Sequence, residues 1–111
     1  MIAMAVLLAF ATPAEPPPPP EVSRAGEALA ACIGERLDRA DDNLRPVLIA
    51  DGIVGHCRPQ LDAAAAAQER WIASSSMSDR EKANARSAFR RSITGLRNNL
   101  VRQIRASRRR R

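Results

Sequence analysis

The chain has 111 residues, is 45% hydrophobic and carries a formal net charge of +6. That length allows one domain with a small core, and excludes large multi-domain assemblies built on a deep substrate cleft. With two cysteines and one histidine, it is also short of ligands for a zinc site.

Met1 to Ala11 is an apolar run of the length of a signal-peptide core. Ala9-Phe10-Ala11 offers small residues at the −3 and −1 positions, and Thr12-Pro13-Ala14 offers a second site, so cleavage is expected after Ala11 or Ala14. No basic residue precedes the run, which fits a start codon upstream of Met1. A bilayer span needs roughly 20 apolar residues, so the run is read as a leader rather than an anchor. The expected location is therefore the periplasm or beyond. Residues 12–21, with Pro16 to Pro20, are read as an extended spacer, because proline has no amide donor and resists helix.

From Val22 the apolar period becomes helical. Val22, Ala25, Leu29, Cys32, Ile33, Leu37, Ala40 and Leu44 share one stripe, and Glu27, Glu35, Asp38, Asp41 and Asp42 lie opposite. Ser23 is the expected cap and Pro46 the stop, placing the helix end near Leu44. Pro46 suits the first turn of a second helix, in which Val47, Leu48, Ile49, Ile53 and Val54 cover most of the circumference. This element is expected to be the most buried. Arg58-Pro59 interrupts it, and a third helix follows with Leu61, Ala64, Ala65, Gln68 and Ile72 inward and Trp71 at the border.

Ser78-Asp79-Arg80-Glu81 reads as a capping box opening a fourth helix to about residue 106. Ala85, Phe89, Ile93, Leu96, Leu100 and Ile104 form its apolar stripe, long enough on so small a protein to suggest a homodimer through this helix. The predicted fold is an all-α bundle of three to four helices over residues 22–106, with a proline-rich N-terminal spacer and a basic tail, 107–111, fraying into solvent.

Both cysteines lie on inward faces of neighbouring helices, and in an exported chain a Cys32–Cys57 disulfide is the expected state. Free core thiols in a cytoplasmic protein, or a redox or metal site, are the competing readings. Against the last, the spacing is not C-x-x-C and His56 is the lone histidine. His56 also fails as a partner for Cys57, since adjacent helical residues point about 100° apart. No catalytic constellation is present and no cofactor is expected.

The functional content lies at the C-terminal end. No acid follows Glu81, whereas Arg86, Arg90, Arg91, Arg97, Arg102, Arg105, Arg108, Arg109, Arg110 and Arg111 do, and the preceding part is net negative. Such a series binds phosphates through counterion release. For an exported protein the natural partners are anionic lipid, lipopolysaccharide or an acidic protein surface. Pairing with the acidic face of the first helix would explain the arginines equally well. A cytoplasmic nucleic-acid-binding protein is the alternative function, although no recognised module or stacking platform accompanies the cations. The leader, the inward Cys32 and the segment Gly55-His56-Cys57-Arg58-Pro59-Gln60-Leu61 together resemble small uncharacterised exported helical proteins of proteobacteria. That resemblance implies export and a disulfide, and attaches no activity.

Overall fold

Proline decides where three helices begin. In the computed structural model, which describes residues 18–110, α1 runs Pro20–Asp38, α2 Pro46–His56, α3 Arg58–Ser74 and α4 Asp79–Arg109, with no strand among the described residues. Pro20, Pro46 and Pro59 each occupy the first or second helical position, where a missing amide donor costs nothing. The fourth helix starts without proline. There Ser78 accepts from the Glu81 amide and the Glu81 carboxylate accepts from the Ser78 amide, both at 3.2 Å, closing the expected capping box. The chain is thus the all-α bundle predicted. The leader and the spacer up to residue 17 lie outside the described residues.

Both ends of α1 differ from expectation. The helix opens at Pro20 rather than Val22, and Ser23 does not cap it; the amides of Val22 and Ser23 instead bond the Pro19 carbonyl at 3.0 and 3.2 Å. The last spacer proline therefore belongs to the helix. At the other end α1 stops at Asp38, well before Leu44. The Ala40 amide turns onto the Leu37 carbonyl at 3.2 Å, and the Asn43 amide donates to Asp41 Oδ1 at 2.8 Å. Such local side-chain bonding offers the backbone an alternative to another helical turn.

Two antiparallel pairings build the bundle: α1 lies along α3, and α2 lies along α4, with further contact between α3 and α4. At 31 residues, α4 is about 46 Å long and matches the 49 Å long axis of the molecule. It is the spine. The main core joins Ile49, Ala50, Ile53 and Cys57 to Leu100, Val101 and Ile104, with Leu29, Cys32, Ile33 and Leu37 closing it from α1. Leu61, Ala67 and Ile72 bury the inner face of α3. Its alanines let helices approach closely, and the buried one is Ala67, not Ala64 or Ala65 as the periodicity suggested.

The second helix is less wrapped than its composition implies. Its inner face is fully covered, Ala50 to 0% exposure, but Leu48 remains 49% exposed and Leu44, just before the helix, 45%. The α4 stripe behaves differently. Leu100 and Ile104 are buried, and Ala85, Phe89, Ile93 and Leu96 are half-buried within the single chain.

Candidate anion-binding site

Cys32 and Cys57 form a disulfide with Cα atoms 6.0 Å apart. It ties the middle of α1 to the α2–α3 junction, where Cys57 ends one helix and precedes the next with 1% exposure. A sulfur so engaged is neither a nucleophile nor a metal ligand. His56 beside it is exposed, and among the described residues no group of three metal-ligating side chains assembles.

The arginines of α4 divide into two sets. Arg86, Arg97 and Arg108 are spaced by eleven residues, close to three turns, so they recur on one flank about every 16 Å. That flank faces the neighbouring helices. Arg86 reaches Glu69 on α3 at 2.7 and 3.0 Å. Arg97 reaches Asp51 on α2 at 2.5 and 3.4 Å. Arg108 donates to the carbonyls of Leu44 at 2.5 Å and Asp41 at 3.5 Å, fastening the α1–α2 turn to the end of the spine. Hydrogen bonds from Arg97 and Arg86 hold the Asp51 and Glu69 carboxyls below their ordinary range, and the two guanidinium groups are correspondingly raised.

Intrachain compensation therefore operates, but not with the expected partner. The acids engaged belong to α2 and α3, whereas on α1 Glu21 takes Arg70 of α3 and Glu35 takes Arg39. The tail is also corrected. Helix α4 continues to Arg109, and Arg108 is half-buried against the turn it holds rather than frayed. Arg111 lies outside the described residues.

The second set points away from the bundle. Arg91, Arg102, Arg105 and Arg109 fall at i, i+11, i+14 and i+18, one outward stripe in which Asn98 also lies. All four are exposed, and Arg90 and Arg110 are exposed beside them. Arg102 donates to the Asn99 side chain. None of the six has an acidic partner among the described residues. The stripe runs roughly 27 Å along the helix from Arg91 to Arg109, a straight row of guanidinium forks suited to phosphate oxygens. The different angular positions of the two sets around the helix were present in the sequence, but only the positions of Glu69, Asp51 and Leu44 show which set is engaged.

No helix among the described residues is long and apolar enough to cross a membrane. No protein-family model, curated protein or solved structure matches the chain.

Proposed function

We propose that this is an exported, envelope-associated interaction protein without catalytic activity of its own, which holds an anionic surface through the outward arginines of α4. The observation that carries the reading is the division of the arginine series. Structural pairing accounts for Arg86, Arg97 and Arg108, and leaves Arg91, Arg102, Arg105 and Arg109 as an unneutralised row on a rigid helix. A row fixed on a helix loses little conformational freedom on binding, unlike the same charges on a loose tail. The disulfide suits an oxidising compartment outside the cytoplasm.

The test is co-sedimentation with vesicles containing phosphatidylglycerol, against pure phosphatidylcholine, over a salt series. Replacing Arg91, Arg102, Arg105 and Arg109 by Gln should weaken binding by about two to three orders of magnitude, at ~1 kcal/mol per basic residue near an anionic leaflet. Arg97→Gln should bind nearly as wild type, because that charge is already engaged. Equal binding and equal salt dependence of the fourfold variant would refute the proposal. Retention of duplex or single-stranded DNA at low salt, with no vesicle binding, would favour the nucleic-acid alternative. Export is read from the intact mass of protein from its native cells, which should lack the first 11 or 14 residues.

A further inference from the structure

The exposed leucines stand beside the cationic row, and the contacts between α2 and α4 show how. Arg97 on Asp51 and Arg108 on the Leu44 carbonyl mark a seam along which the two helices run antiparallel. Beyond that seam on one side continues the arginine stripe of α4, with Arg105 and Arg109. On the other side lies the outer face of α2, on which Leu48, Gly52 and Gly55 follow one another at helical spacing, with Leu44 just before the helix. A Cβ placed on Gly52 or Gly55 would meet no atom within 4 Å, so this face of α2 is open at the glycines, and Leu44 and Leu48 are 45% and 49% exposed. Their far side is a shallow groove to which α1 contributes Arg36, with Arg39 just beyond its end. Arg45, at the N-cap of α2, is exposed between them.

We infer that this composite face is a membrane-docking face, in which Leu44 and Leu48 insert among the acyl chains of an anionic phospholipid leaflet while Arg45, Arg105 and Arg109 hold its phosphates. The inference rests on the anionic-surface reading and names the surface. Two half-exposed leucines on a face that also carries exposed arginines match a leaflet, apolar below and anionic above, and interfacial elements of this kind bury their apolar side about 5–10 Å deep. The acids nearby do not reverse the sign. Asp51 is paired with Arg97, and the two loop acids, Asp41 and Asp42, are outnumbered by Arg45, Arg102, Arg105, Arg109 and Arg110. The Arg108 contact fastens the leucine turn to the end of α4 that carries Arg105 and Arg109.

The experiment compares Leu44→Ala/Leu48→Ala with wild type on phosphatidylglycerol vesicles at low and high salt, and on heparin, a soluble polyanion without acyl chains. The expected result is about tenfold weaker vesicle binding, loss of the salt-resistant fraction and unchanged heparin affinity, with an unchanged helical circular dichroism spectrum reporting an intact fold. Unchanged vesicle binding in the leucine variant, with loss in the fourfold arginine variant, would overturn insertion and leave the anionic-surface reading standing. No loss in either variant would overturn both. A wild-type dimer that the leucine variant dissolves, with vesicle binding untouched, would assign the leucines to a second copy of the chain and likewise overturn insertion.

Discussion

Reducing the Cys32–Cys57 disulfide tests how much of this fold depends on its single cross-link. The bond closes a loop spanning a sequence separation of 25 that contains the end of α1, the turn and all of α2. Chain-entropy arguments assign a loop of that size roughly 3.5 kcal/mol, acting through the denatured state. A domain of about ninety residues has a total stability of roughly 5–13 kcal/mol, so the loss is a quarter to well over half of it. The assay is urea unfolding followed by helical circular dichroism, oxidised and then in reductant, on the wild-type chain so that no core atom is removed. The unfolding midpoint should fall by about 2 M, and the slope should rise because the uncrosslinked chain exposes more surface. In thermal unfolding the same change is about 15–25 °C. Oxidised and reduced forms agreeing to within about 1 kcal/mol would refute the reasoning. The Cys32→Ala/Cys57→Ala variant should lose somewhat more than reduction alone, since Cys57 also packs in the core at 1% exposure.

Three further outcomes follow from the packing. Ile53→Ala, at the centre of the α2–α4 core with 3% exposure, should cost about 3 kcal/mol by the same urea assay, against less than ~1 kcal/mol for Leu48→Ala on the outer face. Arg108→Ala should cost about 1–2 kcal/mol and speed amide exchange in the turn around Asn43, whereas Arg110→Ala should do neither, because only Arg108 holds turn carbonyls. The carboxyls of Asp51 and Glu69 lie below their ordinary values of 3.8 and 4.5, so on acidification the unfolded chain takes up protons first. Their contribution is complete above those ordinary values and disappears as pH falls through the lower folded ones. Thermal midpoints measured from about pH 5 to pH 2 should therefore fall, with a shallower slope in Asp51→Asn/Glu69→Gln; equal slopes would count against these pairs.

Local signals carried the fold class. Proline at the starts of α2 and α3, the Ser78–Glu81 box and the three- and four-residue recurrence of apolar residues each act within one or two turns, and all three are legible without knowing what packs on what. The cysteine pairing was the expected state for two inward cysteines on neighbouring helices in a chain read as exported, and the two sulfurs are joined. Less legible was the end of α1, where a stripe continuing to Leu44 concealed the Asp41–Asn43 turn that ends the helix early. Leu48 misled for a related reason: an apolar residue on a short helix reads as core until the neighbouring helices are placed.

The arginines show most clearly where sequence stopped and tertiary structure began. Composition alone established a cationic C-terminal helix, and helical periodicity placed its arginines on a flank and an outer face. Which of them are neutralised depends on acids and carbonyls distant in sequence, Glu69, Asp51 and Leu44, that only the packing of α2 and α3 on the spine brings within hydrogen-bond reach. Periodicity is a property of one helix and can be read from one helix. Charge pairing between helices depends on relative position to within an ångström or two, and is decided by how the core side chains interlock.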